Sequence, residues 1–373
     1  MDGSQPGLDV DFSRAEELGN LLLPQLDALR EAEPIYWSEK QGAWIVSGHT
    51  EVFEGFLGHL PLSSHRQDII KAFMPDPADR DRYIPYLMQV FPQWVTNTDP
   101  PEQIRLRKLM MKAFSKKVAE DNREFAKEII KDILDRAATA PGGEVEFMEE
   151  IARQLPARTI LRLMGLSQEY LPRLKDWSYY LNAGLGGAYP SIETFIATEK
   201  ALVDMRDIFL VEIEKRRANP TDDFLSYLVH AREEDDTLTE DELVGICHLT
   251  LIAGHDSTAN SMALGVASLA REPEAREYMR THPDQIVSSV MEMMRVSAMS
   301  TSMARIATED FTWHGRDIRR GQFIYLMIVS ANRDPDVFPN PTRMDMQRPQ
   351  DMNMTFAPGL HHDAAGVLRS EER

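Results

Sequence analysis

Apolar positions recur at helical spacing over most of the chain and switch to strict alternation only near its end. Residues 15 to 32 mix apolar and acidic positions in a helical manner, and "AWIVSG" (43–48) reads as a short buried strand running into a turn. From 102 to 138 the pattern is helical until "APGGE" at 140–144 interrupts it. "MEEIARQLPARTILRLMGL" continues as helix in spite of Pro156. The stretch 166–200, with "DWSYYLNAGLGGAYPS", is rich in glycine and aromatic residues and predicts a mobile segment rather than rigid core.

The strongest start signal lies at 237–242, where Thr237 or Thr239 can cap a helix whose first turn is acidic. About 30 residues of helical pattern follow and stop at Pro273. A further helix is predicted over 283–296. "ARIATEDFTWHGRDIRRGQFIYLMIV" then alternates in the manner of strands, with turns at Gly315 and Gly321. No internal repeat or low-complexity linker divides the 373 residues. The expectation is one domain over 1–373, mainly α with a small β portion segregated towards the end.

Composition narrows the partners. With 43% hydrophobic and 27% charged residues the chain is an ordinary globular protein. A net charge of −19 disfavours nucleic acid and anionic membranes as partners. The single cysteine, Cys247, excludes an internal disulfide framework. The acidic N-terminus lacks a signal-peptide pattern, and no apolar run is long enough to span a membrane. These features predict a cytoplasmic location.

Several local features invite chemistry. "AGHDST" (253–258) puts a glycine, an acid and two hydroxyls inside a helical run, where glycine alone costs about 1 kcal/mol. A helix that tolerates this bends or opens there. Glu292 and Arg295, three apart, share a helix face, and alone would be a surface pair worth ~0–1 kcal/mol. "ANRDPDVFPNPTRMD" (331–345) is a proline-punctuated loop carrying Arg333 and Arg343. "RLRKLMMKAFSKK" (105–117) holds six basic residues and no acidic one. It reads either as a solvated helix face or as a docking island for an acidic partner.

The order and spacing of these motifs, with "TNTDPPEQIRLRKLMMKAFSKK" upstream and "FAPGLHHDAAG" (356–366) downstream, resemble the cytochrome P-450 superfamily, bacterial soluble type. The resemblance runs from about residue 30 to 372. It implies a single-domain fold with a long central helix and small β-sheets, and a haem cofactor. It implies O2-dependent hydroxylation of a small apolar substrate, with electrons from a ferredoxin or flavodoxin. By the resemblance, Asp256, Ser257 and Thr258 lie at the oxygen-activating helix, with Ser257 where the family usually has threonine. Arg107, Arg305 and His361 match the groups that hold the haem propionates, and Gln103 stands where many relatives have histidine. Glu292, Arg295 and Arg343 match a structural triad. Residues 166–200, with Trp177, Tyr179 and Tyr180, and "AMSTSM" (298–303) match the pocket lining.

The departure is at the iron ligand. Phe356, Gly359 and His361 match the family's loop, but Ala357 and Ala365 replace glycines and Asp363 replaces the ligating cysteine. His361 and His362 are alternative ligands, and Cys247 belongs to the distal helix. Only ten residues follow Asp363, so the resemblance implies a domain incomplete at its C-terminus. Three readings stay open: a haem-binding monooxygenase relative with altered ligation, a haem-free auxiliary partner protein, or a truncated or frame-shifted inactive chain.

Overall fold

A computed structural model describes residues 22–114, 116–186, 190–233, 236–297 and 300–359. In chain order, α1 (Leu22–Ala32) leads into β1 (Ile35–Ser38) and β2 (Ala43–Val46), followed by α2 (His49–Phe56) and β3 (Leu62–Ser63). A helical stretch comes next: α3 (Gln67–Phe73), α4 (Pro77–Tyr83), α5 (Pro85–Val90), α6 (Glu102–Ala113), α7 (Lys116–Ala138) and α8 (Gln154–Leu163). It continues through α9 (Leu171–Leu181), α10 (Ile192–Ala218) and α11 (Phe224–Val229) to a small hairpin, β4 (Arg232–Glu233) with β5 (Asp236–Thr237). Then come α12 (Glu240–Ala253), α13 (Asp256–Leu269), α14 (Pro273–Thr281) and α15 (Ile286–Ser297). The final strands are β6 (Met303–Ala307), β7 (Phe311–Trp313), β8 (Arg316–Ile318) and β9 (Phe323–Leu326), before α16 (Ile328–Ala331). The fold is mainly helical with small sheets, as the sequence predicts, but the expected segregation of strands towards the end is corrected: β1, β2 and β3 lie between residues 35 and 63 and pair into the same sheet as β6 and β9.

The chain divides into two compact units. One joins its two ends, up to Ser64 and from Leu264 onward; the other is the intervening stretch His65–Ala263. The first unit carries a five-stranded sheet of order β1-β2-β9-β6-β3. β2 runs parallel to β9 with Trp44 opposite Ile324, while its other pairings are antiparallel. Alternation is the cause: Trp44, Val46, Ile324 and Leu326 pack into one core cluster, while Ile45 and Tyr36 turn to another with Leu26 and Leu29 of α1. The predicted turns at Gly315 and Gly321 are present with φ of +79° and +84°.

The second unit is built on α10, which at 27 residues is the longest helix among the described residues. Phe195, Leu202, Met205, Phe209 and Ile213 form its buried stripe. Of the segment 166–200, expected to be mobile, 187–189 lie outside the described residues, and the described part is largely helical with a buried face. Leu174, Trp177 and Leu181 of α9 are buried, and the Trp177 indole donates to Asp204 at 2.8 Å. Gly184 is there for proximity rather than looseness: a Cβ on it would stand 2.1 Å from the Thr198 hydroxyl.

Candidate active site

Thr239 caps α12 with a full capping box: its hydroxyl accepts from the Glu242 N–H at 3.3 Å, and the Glu242 carboxylate accepts from the Thr239 N–H at 2.7 Å. The long central run then opens where the sequence says it should. It is two 14-residue helices, α12 and α13, separated by a turn at Gly254–His255. Gly254 is required by close packing, since a Cβ there would lie 2.5 Å from Ile160 Cδ1 of α8. Past the turn, the Ser257 hydroxyl donates to the Ala253 carbonyl at 2.7 Å, tying the opening together. Thr258 is exposed. Asp256 accepts a hydrogen bond from the Asn182 amide and lies 3.5 Å from His255 Nε2. The His255 ring is itself buried and touches Ser178 of α9. Asn182, Ser178 and His255 escape motif reading. The signal for His255 was its place inside "AGHDST"; Ser178 and Asn182 come from a distant segment and leave none.

In the other unit, Glu292 and Arg295 are fully buried and joined by two hydrogen bonds of 2.8 Å. Arg295 also donates to the carbonyls of Asn332 at 2.6 Å and Pro341 at 2.9 Å. The expected third member is corrected here. The Arg343 guanidinium is 65% exposed and pairs with Glu274, so only its backbone carbonyl meets Arg295, at 3.4 Å. Arg348 takes the side-chain role, its Nε donating to Glu292 Oε1 at 3.1 Å. The reason is reach: Arg348 is anchored by a second bond to the Pro339 carbonyl at 2.9 Å, inside the loop that folds over α15. Burial would raise the Glu292 carboxyl, but Arg295, the Asp345 N–H and the Gln350 amide outweigh it and hold the group below the ordinary range.

The remaining expected site residues are spread over both units. Arg107 is half-buried on α6. Arg305 is buried in β6, donates to the Ala304 carbonyl at 2.9 Å and lies over the Phe56 ring at 5.3 Å. His361, His362, Asp363 and Ala365 lie outside the described residues, as do 298–299 of the expected pocket lining. The loop before them is described to Gly359, whose φ is +83° and whose Cβ, if present, would meet the Phe56 carbonyl oxygen at 2.3 Å. Ala357 occupies the left-handed region too, with φ +50°, a conformation costing a non-glycine residue about 1–2 kcal/mol. Cys247 is fully buried in α12, and burial pushes its thiol up, so it is a core residue. Tyr179 and Tyr180 are exposed, unlike Trp177.

The basic stretch 105–117 does not stand as a bare cationic face. Arg105 pairs with Glu102, Asp236 and Glu242, Lys112 with Glu233, and Lys117 with Asp222. Among the described residues no helix is long and apolar enough to cross a membrane, and no group of histidine, cysteine and acidic residues could hold a metal ion.

With this geometry in hand, likeness to known proteins decides the class. The cytochrome P450 family model matches residues 65–364. The mycinamicin IV hydroxylase/epoxidase of Micromonospora griseorubida is 37% identical over 277 residues, covering 74% of this chain and 68% of that protein. The biotin biosynthesis cytochrome P450 of Bacillus subtilis (strain 168) is 30% identical, covering 90% of this chain and 82% of its own. Among solved structures, P450BioI in complex with hexadec-9Z-enoic acid ligated acyl carrier protein superposes with a TM-score of 0.84 at 28% identity, covering 95% of this chain and 89% of that one. The chain belongs to the cytochrome P450 family.

Membership implies haem, and the donor chemistry of the second unit fits the carboxylates such a group carries. The buried Trp94 Nε1 and Thr96 Oγ1 have no hydrogen-bond partner among the described residues. Close by in sequence, Asn97 accepts from Arg66, whose guanidinium burial pushes down to about 10. The unpartnered indole N–H and hydroxyl are donors of the kind a carboxylate accepts from.

Proposed function

We propose that this protein is a haem monooxygenase that hydroxylates a small, mostly apolar molecule with dioxygen. The observation that carries the reading is the opening at Gly254–His255, which leaves an acid and an adjacent hydroxyl at the start of α13. Haem, when bound, supplies the iron at which dioxygen is activated. The chain's own residues then have distinct tasks. By the family resemblance, Arg107, Arg305 and His361 are the residues that would hold the propionates, by charge-assisted hydrogen bonds. Asp256, its carboxylate oriented by Asn182, is the group that would relay a proton. Ser257 offers the hydroxyl beside it, in the position where the family usually has threonine, and Thr258 is exposed one residue further on. By the family resemblance Asp363 takes the place of the ligating cysteine, and a carboxylate, harder and less donating than thiolate, would weaken the push that favours O–O cleavage.

Among the similar structures, P450BioI is in complex with hexadec-9Z-enoic acid ligated acyl carrier protein, and that apolar chain supports an apolar substrate here. Electrons would come from a ferredoxin or flavodoxin in the cytoplasm. The test is reconstitution with hemin. A Soret band is expected, without the long-wavelength reduced-CO peak of thiolate ligation, and Asp363→Cys is expected to gain that peak. Absence of any Soret band sinks the reading. If the protein then co-purifies with an enzyme it activates, the haem-free auxiliary role that the missing cysteine suggests takes its place.

A further inference from the structure

The turn at Gly254–His255 also swings one imidazole into the second unit. His255 Nδ1 lies 2.7 Å from the Leu251 carbonyl oxygen, one turn back along α12. A carbonyl can only accept, so Nδ1 carries a hydrogen and the tautomer of the neutral ring is set. Nε2 then faces two groups: the Ser178 hydroxyl of α9, in hydrogen-bond contact, and Asp256 Oδ1 at 3.5 Å.

Ser178 has one hydroxyl hydrogen and two acceptors for it, His255 Nε2 and the Leu174 carbonyl at 2.8 Å. When the ring is neutral, the hydroxyl points at Nε2. When Nε2 is protonated, the hydroxyl turns to Leu174, its oxygen accepts from the ring, and Asp256 balances the new charge. Both proton states are satisfied by rotating one O–H. Burial opposes the charged ring and outweighs the help from Asp256 and the Leu251 carbonyl, holding the ring below its ordinary value; Asp256 is the charged side chain that the described residues bring to it. From α9 the facing groups, Ser178 and Asn182, are neutral. A histidine that merely filled the core would have no use for this arrangement. His248, two turns earlier on α12, shows the contrast: it is buried and its ring packs against the rings of Tyr86 and Phe209.

We propose that His255 is a positioning residue for Asp256, holding and returning a proton at Nε2 with Ser178 as its rotating partner. This deepens the monooxygenase reading, on which it rests, by assigning the inward end of the proton route. The step balances: the proton leaves Nε2 for Asp256 Oδ1, the ring becomes neutral and the carboxylate becomes the acid. The Ser178 hydrogen swings back to Nε2, and the 3.5 Å gap closes by a few tenths of an ångström for the transfer.

The experiment is an NMR titration of the full chain with isotope-labelled histidine, the His255 signal being assigned by its loss in His255→Gln. At pH 8 the ring is expected as the Nδ1–H tautomer. Asp256→Asn is expected to lower its titration midpoint by about one pH unit, because a neighbouring negative charge is removed. Asn182→Asp is expected to raise it, because a second carboxylate joins the first. The opposite signs identify the ring even if His255→Gln fails to fold. A midpoint unmoved in both variants, or an Nε2–H tautomer at pH 8, overturns the proposal. Because the ring itself is read, the outcome stands whether or not hemin binds, and the Soret band separately tests the underlying reading.

Discussion

Glu292 and Asp256 are both carboxylates beside a basic ring or fork, yet their surroundings are opposite in kind. Glu292 is sealed, and every neighbour is a donor that cannot lose its proton under ordinary conditions: Arg295, Arg348, the Gln350 amide and the Asp345 N–H. Asp256 is part-exposed, and its neighbours are a neutral amide and a titratable ring. The first site is wired to remain charged, while the second sets its carboxylate beside a ring that can gain or lose a proton. The comparison teaches that a carboxylate's role follows from whether its partners can titrate, rather than from how many there are.

The largest test of that contrast is Arg295→Ala. Leaving Glu292 buried and uncompensated is expected to cost about 3–5 kcal/mol, read as a fall in the urea midpoint. Next comes His248, whose ring burial pushes down to about 3 from an ordinary value near 6.5. A depressed value means stability is fully present above the unfolded value and drains away as pH falls from 6.5 towards 3. His248→Leu is expected to flatten unfolding curves across that window, while wild type loses stability on the order of a few kcal/mol. Arg348→Ala removes a charged donor to Glu292 and is expected to cost about 1.5–3 kcal/mol, whereas Arg343→Ala stays within about 0.5 kcal/mol. Equal losses in these two variants would return the triad to Arg343. The smallest effect belongs to Asp256→Asn, expected within about 1 kcal/mol by thermal melting. A loss as large as that of Arg295→Ala would erase the distinction between the two sites.

How much of this could be read in advance depended on whether the cause was local. The strands β6 to β9 were legible because alternation and the two turn glycines act within a few residues. The opening at Gly254 was legible because glycine, acid and hydroxyl conflict with a helix locally. The region 166–200 was not, because Gly184 looks like looseness until Thr198 is seen pressed against it. Arg343 and Arg348 sit in the same proline-rich loop, and only the folded loop distinguishes the one facing Glu274 from the one facing Glu292. The tie from α9 to Asp256 joins residues 74 apart, which no spacing rule covers.

The sheet order has a bearing on how the polypeptide matures. β2 ends at Val46, and β9, whose edge it pairs with, begins only at Phe323. At ribosomal speeds, emergence of the intervening chain takes on the order of 15–60 s. Over that interval the β1–β2 hairpin has one edge open, while His65–Ala263, contiguous in the chain, emerges in full. The edge of β2 therefore stays unpaired until β9 emerges, whereas the intervening unit has its own chain complete well before that.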